Sequence, residues 1–267
     1  MLKDGHVHTP FCPHGTKDEF VEYIDRAISL GFKEITFTEH APLPEGFYDT
    51  TPAQDSGMKN EELEDYFNVI SQLKEKYRDR IVVNCGLEVD YIEGYEKETA
   101  TFLDQIGDKL DDAILSVHFL RFGDSYDCLD YSPEFFEKMI QKYGSINAIY
   151  QNYFRTLLKS VHANLGVYKP KRIGHITLVR KFHRRFPTNY DYRYEIVEIL
   201  KCMKEYGYEM DYNGAGMNKP LCRETYPPQS IAKEAIKLGI PLIYGSDAHQ
   251  VKELRQGFDD LVITNQL

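Results

Sequence analysis

The chain's chemistry begins with two histidines one residue apart, in His6-Val7-His8. On a strand, residues i and i+2 face the same side, so both imidazoles can approach one ion. Further ligand-type residues close later β-like runs. His40 follows Ile35-Thr36-Phe37-Thr38-Glu39, and Glu88 sits in Gly86-Leu87-Glu88-Val89-Asp90. His118 ends Ser116-Val117-His118, and His175 ends Ile173-Gly174-His175. Asp247 and His249 lie in Ser246-Asp247-Ala248-His249, and His14 lies just beyond the first run. Seven of the nine histidines thus occupy or follow such ends. Imidazole and carboxylate suit Zn, Fe or Mn and need no thiolate. The set His6, His8, His14, His40, Glu88, His118, His175, Asp247 and His249 is too large for one tetrahedral site. It suits two or three ions sharing a bridging carboxylate. Two such ions about 3.5–4 Å apart activate a bridging water and stabilise a displaced oxygen, which fits phosphate-ester hydrolysis.

Residues so far apart in sequence need a scaffold that brings strand ends together. Short apolar runs alternate with amphipathic stretches, the pattern of parallel strands with helical crossovers. Seven strands are expected, over 2–8, 34–40, 81–88, 113–118, 172–175, 208–213 and 241–247. Helices are expected over 17–30, 60–78, 95–107, 134–165, 190–206 and 229–238. For the first helix, Thr16 and Glu19 fit a capping box and Gly31 a C-terminal cap. Ala27-Ile28-Ser29-Leu30-Gly31 resembles Ala235-Ile236-Lys237-Leu238-Gly239, so a helix–strand unit recurs. Residues 41–59 hold Pro42, Pro44, Gly46, Pro52 and Gly57 and read as a long loop. No linker divides the chain, so 1–267 is read as a single α/β domain, a closed or nearly closed barrel. In such barrels the C-terminal strand ends share one rim, where active sites are built.

Composition narrows the function. The 267 residues carry 42 acidic and 32 basic side chains, a net charge of −10 with histidines neutral. That balance argues against a nucleic-acid platform. No apolar run is long enough to cross a bilayer. The N-terminus has no signal-peptide core, and a cytoplasmic location is expected. The five cysteines are odd in number, widely spaced and free of any C-x-x-C, so they read as reduced thiols. Cys12 lies between His8 and His14 and is within reach of a metal. It is nonetheless expected to be a plain thiol, because nitrogen and oxygen donors suffice. Acidity does not exclude an anionic substrate. Three divalent ions with Glu88, Asp247 and a hydroxide leave positive charge in one cavity.

Taken together these residues resemble the PHP superfamily (polymerase and histidinol phosphatase). The resemblance covers nearly the whole chain. It rests on His6-Val7-His8, the Glu39-His40 strand end, Glu88, His118, His175 and Ser246-Asp247-Ala248-His249. The histidinol-phosphate phosphatase branch is indicated by Gly86 to Tyr91, by Ser116-Val117-His118-Phe119-Leu120, by Gly174 to Phe182, and by Asn213-Gly214-Ala215-Gly216 followed by Lys219-Pro220. Thr177 stands where the branch often has an acidic residue, and Ala215 where it often has serine or threonine. The resemblance implies a distorted (β/α)7 barrel with a trinuclear centre. His6, His8, Glu88 and Asp247 would hold one ion. Glu88, His118 and His175 would hold a second, and His14, His40 and His249 a third. The ions would be divalent Zn, Fe or Mn.

The implied reaction is hydrolysis of L-histidinol phosphate to L-histidinol and phosphate, a step of histidine biosynthesis, by a metal-bridging hydroxide. Glu88, Asp247 and His249 are the catalytic candidates, with leaving-group protonation open between Asp247 and His249. The resemblance implies that Arg180 and Arg223 contact the substrate phosphate, as guanidinium can with two parallel bonds. Lys219 is a further candidate. Residues 169–186 carry seven Lys or Arg and no acid. Arg180 apart, they read mainly as a solvated basic surface. Asp124, Asp127 and Asp130 could meet the cationic amine but read as a solvated acidic loop. His162 and His183 read as structural or surface groups. The expected partner is a small phosphorylated amino-alcohol, with no nucleic acid and no membrane, in a monomer or small homo-oligomer. The alternatives are a broader PHP phosphoesterase for nucleotides or phosphotyrosine, and a non-catalytic metal-binding scaffold.

Overall fold

Parallel strands buried on both faces read as nearly unbroken apolar runs, and Glu34–His40 is such a strand, buried at every position after Glu34. A computed structural model describes residues 2–262. It shows seven parallel strands: β1 (Lys3–Val7), β2 (Glu34–His40), β3 (Val82–Asp90), β4 (Asp112–Ser116), β7 (Arg172–Ile173), β8 (Glu209–Asn213) and β9 (Leu242–Gly245). They pair in the order β1-β2-β3-β4-β7-β8-β9. Strands β5 (Phe119–Phe122) and β6 (Ser125–Cys128) form a separate antiparallel pair. The helices are α1 (Phe20–Ser29), α2 (Leu63–Tyr77), α3 (Glu96–Ile106), α4 (Pro133–Tyr143), α5 (Ile146–His162), α6 (Arg193–Glu205) and α7 (Gln229–Lys237). The architecture is a distorted (β/α)7 barrel.

The barrel closes between β9 and β1 at the rim that carries the ligand-type residues. The amide of Asp247 donates to the His6 carbonyl at 2.7 Å, and that of His8 to the Ala248 carbonyl at 3.0 Å. Closure and placement of the site are therefore one event. The recurring helix–strand unit has a definite cause. After α1, Gly31 (φ +87°) donates to Ile28 and Phe32 to Ala27; after α7, Gly239 (φ +72°) donates to Ile236 and Ile240 to Ala235. Both are six-to-one glycine caps that turn the chain straight into a strand.

Four expectations change in detail. The capping pair of α1 is Glu19 with Glu22, whose Oε2 accepts from the Glu19 amide at 2.8 Å. Thr16 instead donates its hydroxyl to the His249 carbonyl. The expected helix over 134–165 is two. Gly144 (φ +82°) ends α4, and the Ser145 hydroxyl caps α5 by accepting from the Ala148 amide. The acidic loop after His118 is largely the β5–β6 hairpin. Asp127 is buried and paired with Lys142, Asp130 is paired with Lys181, and Asp124 alone is exposed. Finally, the basic stretch is not uniformly solvated. Lys169 donates to the Val161 and Ala163 carbonyls at 2.7 Å each. Arg172 is 1% exposed and donates to Asp112 at 2.6 Å. Each is buried because a carbonyl or carboxylate partner waits for it. The expected long loop over 41–59 is mostly irregular chain. No helix among the described residues is long and apolar enough to cross a membrane.

Candidate metal centre

Each ligand-type residue stands at or near a C-terminal strand end or in the loop just after one; seven of the nine line a cavity of about 400 Å³, and His6 and His8 are fully buried. Glu88 lies at its base, 2% exposed. Its two oxygens face different groups. Oε2 lies 3.4 Å from His6 Nε2, 3.5 Å from His8 Nε2 and 3.2 Å from His40 Nδ1. Oε1 lies 2.9 Å from His175 Nε2 and 3.8 Å from His118 Nε2. Asp247, in left-handed backbone (φ +52°), adds Oδ1 at 3.2 Å from His8 Nε2 and 3.8 Å from His6 Nε2. His14 Nε2 and His249 Nε2 meet at 3.2 Å.

Carboxylates behind the imidazoles fix their orientation. His6 Nδ1 donates to Asp211 at 3.1 Å, His8 Nδ1 to Glu39 at 3.2 Å and His118 Nδ1 to Asp90 at 2.8 Å. With Nδ1 bound from behind, each Nε2 is turned to the cavity, where a metal ion would take the place of its proton. Nδ1 of His14 donates to the Asp55 carbonyl at 2.8 Å, and that of His249 to the Asp247 carbonyl at 3.1 Å. Their facing Nε2 atoms are close enough to bind one cation together.

The charge balance points the same way. Burial alone drives these imidazoles toward the neutral form. Around His6, Glu88, Asp211 and Asp247 outweigh it and hold the ring well above the usual imidazole range. Asp247 and Glu39 hold His8 at about 9, and Asp90 and Glu88 hold His118 at about 10. Burial and then His8 keep His40 and His249 well below that range. Burial opposes charge on Glu88 and Asp247, yet the surrounding imidazoles hold both carboxyls well below the usual range. The centre is a nest of carboxylates that retains positive charge. Nε2 of His6 and His8 and Nδ1 of His40 are buried without a hydrogen-bond partner. Nitrogen and carboxylate donors of this kind fit divalent ions. Three donor groups result, the first and last sharing His8: His6, His8 and Asp247; Glu88, His118 and His175; and His8, Cys12, His40 and His249.

The substrate-side candidates separate. Lys219 lines the cavity. Arg180 does not; it is ion-paired with Glu224 and lies 5.6 Å over the Tyr192 ring. Arg223 is exposed and donates to the Met217 carbonyl. Lys181 does line the cavity, held by Asp130 at 2.8 Å. Lys181 is not singled out by the sequence, because a turn of 3-10 helix at Leu178–Arg180 decides which of two adjacent cations faces inward. Glu39, Asp90 and Asp211 likewise acquire their roles only in the fold. The spacing of Asp90 two residues after Glu88 was the available signal. His183 donates to the Cys222 carbonyl and His162 meets the Tyr206 hydroxyl, both outside the cavity.

Known proteins fit this geometry. The PHP domain family model matches residues 4–215. Histidinol-phosphatase of Bacillus subtilis (strain 168) is 47% identical over 96% of this chain and 97% of its own length. The probable histidinol-phosphatase of Deinococcus radiodurans is 33% identical over 98% of this chain and 91% of its own. A solved Listeria monocytogenes structure, provisionally named a histidinol phosphatase, superposes with a TM-score of 0.92 at 38% identity, covering 97% of this chain and 99% of that one. The histidinol phosphate phosphatase of Lactococcus lactis, solved with zinc, L-histidinol and phosphate, shares the fold at 21% identity and a TM-score of 0.67 over 94% of this chain and 87% of its own. The chain belongs to the PHP domain family, in its histidinol-phosphatase branch.

Proposed function

We propose that this protein is a metal-dependent phosphomonoesterase that hydrolyses L-histidinol phosphate to L-histidinol and phosphate in histidine biosynthesis. The observation that carries the reading is Glu88, one buried carboxylate with its two oxygens facing two histidine groups. The relationship to the Bacillus enzyme, over almost the full length of both chains, supports the same substrate. We assign three divalent ions, zinc, iron or manganese, to the centre. His6, His8, Glu88 and Asp247 hold one, Glu88, His118 and His175 the next, and His14, His40 and His249 the last. Bound there, such ions supply Lewis acidity toward phosphoryl oxygens and make coordinated water a nucleophile near neutral pH.

The chain's own groups do the rest. Glu39, Asp90 and Asp211 fix the imidazoles that receive the ions. Lys181 and Lys219, facing the cavity, attract and orient the phosphate, and Asp130 holds the Lys181 amine in place. Arg180 and Arg223, which the family resemblance links to the phosphate, are not among the lining residues; their partners are Glu224 and the Met217 carbonyl. Asp247 and His249 line the cavity side by side, with Oδ1 and Nδ1 3.6 Å apart, and both are assigned as ligands. The five cysteines are free thiols, as suits a reducing cytoplasm.

Phosphate release from metal-loaded protein, with histidinol phosphate, a nucleoside monophosphate and phosphotyrosine side by side, tests the reading. Histidinol phosphate should turn over fastest. Equal or slower turnover defeats the substrate assignment, and no turnover of any ester points to a scaffold.

A further inference from the structure

One donor in the centre is neither nitrogen nor oxygen. Cys12 is fully buried, and its sulfur lies in a group with His8, His40 and His249 whose ligand atoms are all within 4.8 Å of one another. His8 and His40, which are 0% and 8% exposed, each keep a buried ring nitrogen without a hydrogen-bond partner, Nε2 of His8 and Nδ1 of His40. The backbone closes a tight turn around the sulfur. The Cys12 amide bonds back to the Thr9 carbonyl at 3.0 Å, and the amides of His14 and Gly15 approach the sulfur. A Cβ on Gly15 would stand 3.0 Å from Cys12 Cβ and 3.4 Å from its Sγ, so glycine lets the turn close over the thiol.

We propose that Cys12 binds as a thiolate to the ion held by His40 and His249, making that position prefer a thiophilic ion such as zinc over manganese. The inference rests on the metal centre of the proposed function and adds a ligand to it. Binding breaks the S–H bond and forms a sulfur–metal bond, and the proton leaves to solvent. No oxidant or reductant is involved. An ion supplies the positive charge that a buried thiolate requires. Without the thiolate this position would offer imidazoles alone, which discriminate poorly among divalent ions.

The test is cobalt(II) substitution of the full chain, read by absorption and metal analysis. A thiolate-to-cobalt charge-transfer band in the near ultraviolet is expected in the wild type. It should disappear in Cys12→Ser, with an affinity loss of at least about tenfold for one of the ions. It should persist in Cys128→Ser, because Cys128, although it lines the cavity, belongs to none of the donor groups and donates to Asp130, and loss of the band there would overturn the proposal. It should also persist in Cys222→Ser, since Cys222 sits with His183 and Glu224 in a separate donor group. Cobalt bound without a band in the wild type overturns the proposal, whether or not any variant folds. So does a band that survives Cys12→Ser and is lost in Cys222→Ser. If no cobalt binds at all, the metal centre of the proposed function fails with it.

Discussion

Asp211 Oδ2 accepts a hydrogen bond from His6 Nδ1 at 3.1 Å, and both side chains are fully buried. The carboxylate fixes which nitrogen of His6 faces Glu88 and Asp247. Partners of this kind, one step behind a ligand, typically contribute 10–100-fold to metal affinity. Asp211→Asn should therefore fold, and should lose metal affinity by about that factor in a titration against a competing chelator. Unchanged affinity would show that packing alone orients His6.

Gly245 lets that pair form. A Cβ there would stand 2.4 Å from Asp211 Oδ1 and 2.6 Å from His6 Cβ. His6 Cβ is tied to strand backbone and has little room to yield. Gly245→Ala should push the two apart, cost about 1–3 kcal/mol by overpacking, and lower metal content as Asp211→Asn does. Thermal melts and metal analysis together check this; a variant with normal melting and full metal content would refute it.

Glu88 is a different case because it faces both groups. Its neutral isostere keeps the shape and removes the charge. Glu88→Gln should cut turnover by more than the roughly hundredfold upper limit for a residue acting behind a ligand, and should lower metal content. Wild-type turnover in this variant would sink the bridging role.

Much of this was legible in sequence. Strand ends were readable because parallel strands buried on both faces leave apolar runs ending at polar residues, and the His-x-His and Ser-Asp-x-His groups mark those ends. Less local features were not readable. The Gly123-Asp124 turn separates Phe119–Phe122 from Ser125–Cys128 and is a hairpin signal, but the acids around it suggest a solvated loop. Pairing of Asp211 with His6 spans 205 positions and depends on the barrel closing. Whether Arg180 or Lys181 faces inward depends on one residue of register in a short helical turn.

That register gives a contrast between neighbours. Lys181 lines the cavity, whereas Arg180 is anchored to Glu224. A hydrogen bond to a charged group contributes about 1.5–3 kcal/mol, roughly 10–100-fold in kcat/KM. Lys181→Met should lose that much and should weaken inhibition by inorganic phosphate. Arg180→Met should lose less kcat/KM and show more of its effect in the melting temperature. The reverse order would return the phosphate contact to Arg180.

Lys169 supplies a pH test remote from the centre. Burial, and secondarily Lys171, lower its amine from 10.5 to about 8. Its Nζ donates to the Val161 and Ala163 carbonyls near the end of α5. Between about pH 8 and 10.5 the unfolded chain holds this proton and the folded chain has released it. Stability from this group therefore rises with pH across that window. Below it, both states are protonated, and the fold carries the cost of burying the charge. Lys169→Met removes the titration and leaves the two carbonyls without this donor. The melting temperature of the wild type minus that of Lys169→Met should thus increase from pH 8 toward pH 10, measured by scanning calorimetry in matched buffers. A difference that stays flat or shrinks across that range would mean that the amine is solvated in the folded protein and keeps its ordinary value.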